Sequence, residues 1–278
     1  MEDKVIVITG ASSGIGESAA RLLRAQGANV VVVGRSAKTA EVARELDSPY
    51  YLADFTKLDD VRRLAEELRR NFPRIDVLAN NAGGVMSNRR VLTVDGFEMT
   101  IQVNYLAAFL LTNLLLETLI ASRAAVIATS SLAQRGAGKL DPGDFTLADN
   151  YGQQGAYGKA KLMDVLFAKE LNARYHSAGI SAAAFHPGVV RTDFSKEFGG
   201  GWDFIYKSFI RHLLISPQKG ADTLVWLASS QPDRDWQPGQ YYQKRKPKPP
   251  SRQAQDPRLA NDLWESTTRA LGLDQPEL

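Results

Sequence analysis

The chain has 278 residues, of which 44% are hydrophobic and 23% charged, with a net charge of +3 and no cysteine. Disulfides, thiol chemistry and cysteine-based zinc sites are therefore excluded, no metal is expected, and the slight basic excess implies no nucleic-acid partner. The length suits a single α/β domain over residues 1–278, large enough to bury a core without staples.

Lys4 to Thr9 is a short β-branched run, as a strand buried on both faces would be. Gly10-Ala11-Ser12-Ser13-Gly14-Ile15-Gly16 follows directly, and Ile15, Ala19, Leu22 and Leu23 then recur at helical spacing before Gly27. Strand, glycine turn and helix together form a phosphate cradle, because backbone N–H groups and the positive end of the helix dipole converge on the turn. Gly10 to Gly14 also spells G-x-S-x-G, the nucleophile elbow of hydrolases. That motif needs several strands before it and a well-placed acid and His after it. Here it follows the first strand, and only His176, His186 and His212 are available.

Strand and helix then alternate. Strands are predicted at 29–33, 50–53, 75–79, 124–129, 180–185 and 240–242, and helices at 37–46, 57–70, 102–121, 155–177 and 217–229. This order predicts a parallel sheet with helices on both faces and ligands beyond the carboxyl ends of its strands. After the second strand come Gly34, Arg35 and Ser36. An NAD enzyme usually has an acid there to hold the ribose hydroxyls, whereas Arg35 and Ser36 can clamp a 2′-phosphate, with Ser12 and Lys38 near enough to assist. NADP(H) is the expected cofactor. The stretch from Tyr105 to Ala121 is the most apolar, but Asn113 and Glu117 interrupt it and it is too short to span a membrane. With a strand beginning a few residues after Met1, no signal peptide is expected, and the protein is expected to be soluble and cytoplasmic.

Tyr157 and Lys161 lie one helical turn apart on one face. A free tyrosine, with a pKa of about 10, is a poor proton relay at neutral pH, and a fixed ammonium beside it favours the phenolate. The pair is a candidate acid–base unit.

Taken together, Thr9-Gly10-x-x-x-Gly14-Ile15-Gly16, Asn80-Asn81-Ala82-Gly83 and Tyr157-x-x-x-Lys161 resemble the short-chain dehydrogenase/reductase family over most of residues 4–243. The resemblance implies a Rossmann-type, doubly wound parallel sheet of about seven strands in three α/β/α layers. It implies a catalytic set of Asn104, Ser131, Tyr157 and Lys161. Ser131 would hydrogen-bond the substrate carbonyl, Tyr157 would transfer the proton, Lys161 would tune Tyr157 and bind the nicotinamide ribose, and Asn104 would hold a water that feeds protons to Lys161. Ser130 is the competing serine. Gly10, Ser12, Ser13, Gly14, Ile15 and Gly16 would cradle the cofactor phosphates. Asp54 and Phe55 would contact the adenine, and Asn81, Ala82 and Gly83 would brace the strands and lie against the cofactor. Pro187 and Gly188 would turn beneath the nicotinamide, with Val190 and Thr192 on its carboxamide and the phosphates.

Ser131 and Tyr157 stand 26 positions apart, where about a dozen is commonest in the family. This extension, Gly136 to Gln154, and His186-Pro187-Gly188-Val189-Val190-Arg191-Thr192 resemble the retinol dehydrogenase-like branch. Ala160 stands where that branch often has serine. Residues 194–215 are expected to form a substrate lid hinged at Gly199-Gly200-Gly201, with Phe198, Trp202, Phe204 and Tyr206 as aromatic surface for an apolar substrate. Lys244 to Pro250 reads as a solvated basic linker to a closing helix at 257–271. The helices from Gln102 and Gly155 are expected to share apolar outer faces in a homodimer or homotetramer, unless the tail covers one face.

The expected activity is interconversion of a carbonyl and an alcohol on an apolar small molecule. The alternatives are a related enzyme whose net reaction is not redox (cyclisation, dehydration or isomerisation) and a non-catalytic NADP-binding scaffold. The spacing of Gly10, Gly14 and Gly16 disfavours sugar-nucleotide epimerases.

Overall fold

A computed structural model describes residues 1–149, 151–189 and 215–273. Val190, Thr192, Phe198, Trp202, Phe204, Tyr206 and all but the last residue of the expected lid lie outside them.

Seven strands run parallel: β1 (Val5–Thr9), β2 (Asn29–Gly34), β3 (Tyr50–Leu52), β4 (Val77–Asn80), β5 (Ala125–Thr129), β6 (Ser181–His186) and β7 (Tyr241–Gln243). They stand in the order 3-2-1-4-5-6-7, and β8 (Lys246–Pro247) adds an antiparallel edge to β7. This is the Rossmann-type doubly wound sheet. Alternation along each strand divides the core. Ile6, Ile8, Val30 and Val32 face α1 (Gly14–Ala25), α2 (Lys38–Glu45) and the later helix at Pro217–Ser229. Val7, Val31 and Leu78 face the other layer, which includes α3 (Leu58–Asn71) and the helices that follow it. The chain turns from one half of the sheet to the other between β1 and β4, and a crevice opens beyond their carboxyl ends.

Thr9 and Asn81 fasten that point. The Thr9 hydroxyl donates to Ala79 O and accepts from the N–H groups of Asn81 and Ala82, at 3.2, 2.9 and 3.0 Å. The Asn81 amide donates back to Thr9 O at 3.0 Å.

The helix predicted over 102–121 is broken. Short α4 (Met99–Ile101) runs into a π-helical turn at Gln102–Leu106, then α5 (Ala107–Leu114) and α6 (Leu116–Ala121). Asn104 Nδ2 donates to Thr100 O at 2.8 Å, so a side chain competes for a carbonyl of the helical ladder, which accounts for the widened turn. After β5, a 3₁₀ turn (Leu132–Gly136) leads into the extension, where Leu140, Phe145 and Leu147 are buried and Tyr151 donates to Ser87 O at 2.7 Å. The extension is thus a packed wall.

Three further α-helices follow among the described residues, α7 (Gln153–Tyr175), α8 (Pro217–Ser229) and α9 (Pro257–Ala270), the last preceded by a 3₁₀ turn at Gln253–Gln255. One expectation about the tail needs correcting. Lys244 to Pro250 is no plain linker, because Lys246 and Pro247 form β8, Lys248 N donates to Tyr241 O and Arg245 pairs with Asp222. Residues 244–249 do remain exposed. The outer face of α5 and α7, on which an oligomer was expected to form, is covered by α9. Leu263 and Trp264 are buried there, and the Tyr105 hydroxyl lies 2.8 Å from that of Thr267. Among the described residues, no helix is long and apolar enough to cross a membrane.

Candidate active site

The crevice encloses about 890 Å³, within the range of small-molecule sites. Its floor is the turn between β1 and α1. Gly10 has φ +66°, and a Cβ there would lie 2.7 Å from Ala82 Cα. A Cβ on Gly16 would lie 2.4 Å from Gly10 O, so only glycine lets this helix start sit against the turn. Ser13, the N-cap of α1, makes no side-chain capping bond, which leaves the first N–H groups of the helix directed at the crevice. Ser12, Ser13, Gly14 and Ile15 line it there. These features fit a pyrophosphate: backbone donors, a helix N-terminus and no side chain in the way.

At one end, Arg35, Lys38, Asp54 and Phe55 line the crevice. Arg35 is exposed and has no carboxylate within 4 Å among the described residues. Lys38 lies 3.5 Å from Glu17 Oε2. Asp54 Oδ1 accepts from Thr56 N at 3.0 Å, and Phe55 is buried with part of its surface on the crevice.

At the other end, Ser131, Tyr157, Lys161, Pro187 and Gly188 converge. Lys161 Nζ is 5.7 Å from the centre of the Tyr157 ring. It donates to Thr129 O at 2.9 Å and to Asp164 Oδ2 at 2.8 Å. Ser130 also touches the crevice, but its hydroxyl is buried and donates to Lys161 O at 2.6 Å, so it ties the end of β5 to α7 at Lys161. Among the described residues, Ser131 Oγ accepts from Ala133 N and donates to none, which leaves its proton to point outward. His186 is 5% exposed and its Nδ1 accepts from Leu132 N at 3.3 Å. Burial pulls its pKa down to about 4, so the ring is neutral and braces the chain next to Ser131.

Asn104 is 2% exposed and does not line the crevice. Both its amide hydrogens are committed, to Gly84 O at 2.9 Å and to Thr100 O, and its oxygen accepts from Gly84 N at 2.9 Å. One acceptor lone pair remains for a water. Gly83 separates Asn104 from Lys161: a Cβ there would lie 2.4 Å from Asn104 Oδ1 and 3.4 Å from Lys161 Nζ. Gly16 and Ser36 also lie outside the lining, whereas Asn81, Ala82 and Gly83 are in it. Sequence reasoning missed Val33, Ala53, Gly84, Met86, Val103, Thr129 and Pro217 as lining residues, and it missed Asp164 altogether.

The sheet order, the glycine cradle at its switch point and the Tyr–Lys pair beyond β5 define a nucleotide-dependent oxidoreductase of the doubly wound class. A family model described as short chain dehydrogenase matches residues 4–200, and the chain belongs to the short-chain dehydrogenase/reductase family. It is 40% identical over 277 residues to DnrU of Streptomyces sp. (strain C5), covering 97% of this chain and 93% of that protein. The name of DnrU provisionally assigns it daunorubicin C-13 ketoreductase activity. The chain is 36% identical to retinol dehydrogenase 13 of Mus musculus, covering 97% of this chain and 84% of that one. The crystal structure of an uncharacterised Mycobacterium paratuberculosis protein superposes with a TM-score of 0.79 at 31% identity, covering 99% of this chain and 96% of that one.

Proposed function

We propose that this oxidoreductase uses NADP(H) to interconvert a ketone or aldehyde and the corresponding alcohol on an apolar small molecule. The observation that carries the reading is the gathering of Ser131, Tyr157 and Lys161 at one end of a crevice whose other end carries Arg35 without a carboxylate partner among the described residues.

The nicotinamide ring, when bound, supplies or takes up the hydride. The chain does the rest. The turn from Gly10 to Gly16 and the start of α1 would hold the pyrophosphate, Asp54 and Phe55 would border the adenine, and Arg35, with Ser12 and Lys38 in the same lining, would hold the 2′-phosphate. Ser131 donates a hydrogen bond to the substrate oxygen. Tyr157 gives that oxygen a proton in reduction and removes it in oxidation, with Lys161 beside it. Asn104 braces the Gly83–Gly84 turn against Lys161 and has one lone pair for a proton-carrying water.

Met86 and Val103, which line the crevice, support an apolar substrate. The names of DnrU and of retinol dehydrogenase 13 fit the same carbonyl–alcohol chemistry. A panel of apolar ketones and aldehydes, followed by NADPH absorbance, tests the reading. It predicts substrate-dependent oxidation of NADPH, and a flat response across aliphatic, aromatic and isoprenoid carbonyls contradicts it.

A further inference from the structure

Lys161 and Asp164 form an ion pair inside the protein. They are 4% and 3% exposed, and Nζ stands 2.8 Å from Oδ2. Helix α7 is apolar around them, with Leu162, Met163, Val165, Leu166 and Phe167 all buried. A carboxylate in such surroundings persists only when paired, so its presence beside the active-site lysine needs a reason.

Among the described residues, the neighbouring elements supply no other charge to it. Strand β5 offers the Thr129 carbonyl, which also holds Nζ. Strand β6 ends in neutral His186. The π-helical turn brings Tyr105, which burial keeps protonated and whose hydroxyl meets Thr267 of α9. Glu98, ahead of α4, accepts from Ile101 N, and Glu265 of α9 is taken by Arg174. Arg135, on the 3₁₀ turn, is exposed and donates to Pro249 O. Among the described residues, Lys161 is the one charge facing Asp164.

We propose that Asp164 is a positioning residue for Lys161, fixing the ammonium beside Tyr157 and offsetting its charge so that Tyr157 keeps its proton through neutral pH. This rests on Tyr157 being the proton-transfer group. A lone ammonium would draw Tyr157 toward phenolate, whereas a neutral pair draws it less. Reduction needs the protonated phenol and oxidation the phenolate, so the counterweight extends reduction toward alkaline pH. Burial pushes the Asp164 carboxyl up to about 6, and above that pH the carboxylate is present to act.

The test needs no substrate. Phenolate difference absorbance is titrated for the full chain against its Tyr157→Phe variant, which isolates Tyr157, and again in the Asp164→Asn background. At this separation, loss of one charge should move the Tyr157 midpoint to lower pH by about one unit. Asp164→Glu, which restores a carboxylate, should move it back. Coincident midpoints with and without the Asp164 carboxylate would overturn the proposal, as would a shift that Asp164→Glu leaves in place. If Asp164→Asn fails to fold, Asp164→Ser gives the same comparison. Ketone reduction by Tyr157→Phe is measured separately. Retained activity there defeats the role of Tyr157, whereas lost activity with an unmoved midpoint defeats only the role of Asp164.

Discussion

The Trp264 indole of α9 lies against the Phe109 ring of α5, with centroids 4.7 Å apart and planes at 62°. Phe167 and Tyr175 of α7 complete the cluster, and the Arg174 guanidinium covers the indole at 5.0 Å while pairing with Glu265. Helix α9 therefore covers the apolar outer face of α5 and α7.

From this we expect a monomer. Sedimentation at micromolar concentration should give one species near 30.5 kDa. Removing the indole empties a buried aromatic site, and Trp264→Ala should cost about 3–5 kcal/mol of stability, read as a lowered denaturation midpoint. A stable dimer of the wild-type chain would show that another surface does the pairing.

Arg35 should set the cofactor choice. Losing a charge-assisted partner costs about 1.5–3 kcal/mol, so Arg35→Ala should weaken NADPH binding roughly ten- to a hundred-fold and leave NADH nearly unchanged. Arg35→Asp should invert the preference, since it repels the 2′-phosphate and accepts from the ribose hydroxyl. Calorimetric titration of both cofactors reads this, and equal binding of the two by the wild type removes Arg35 from the role.

His186 should make stability depend on pH. Its pKa falls from 6.5 to about 4 on folding, so between those values the unfolded chain binds more protons than the folded one. Stability then rises with pH across that window and is lost as pH falls through it, by at most on the order of 3 kcal/mol. Melting temperatures of the wild type and His186→Asn across the window should show a shallower acid decline in the variant. Parallel declines would place the acid sensitivity elsewhere.

The parts of this fold that were legible in the sequence are those fixed by local chemistry. The strand–glycine–helix unit from Val5 to Ala25 declares itself because a buried parallel strand must be apolar throughout and its turn must be free of side chains. Helical spacing put Tyr157 and Lys161 on one face, but such a pair arises often by chance, and it was the glycine turn upstream that singled it out. The rest depends on distant contacts. The π-helical turn arises because Asn104 is drawn to Gly84 and Thr100, which no helical pattern encodes. The closing helix was visible as a helix, but its seat on Phe109 and Phe167 was not. Asp164 left a signal that went unused: an acid three residues after Lys161, in an otherwise apolar run, must find a buried partner.

The role of Tyr157 is the centre of the account. Replacing it with phenylalanine keeps the ring that lies near Lys161 and removes only the proton-bearing oxygen. On a carbonyl substrate turned over by the wild type, Tyr157→Phe should lose about 10²–10⁴-fold in kcat, while NADPH binding stays within a few-fold. Turnover by Tyr157→Phe at the wild-type rate would contradict the account.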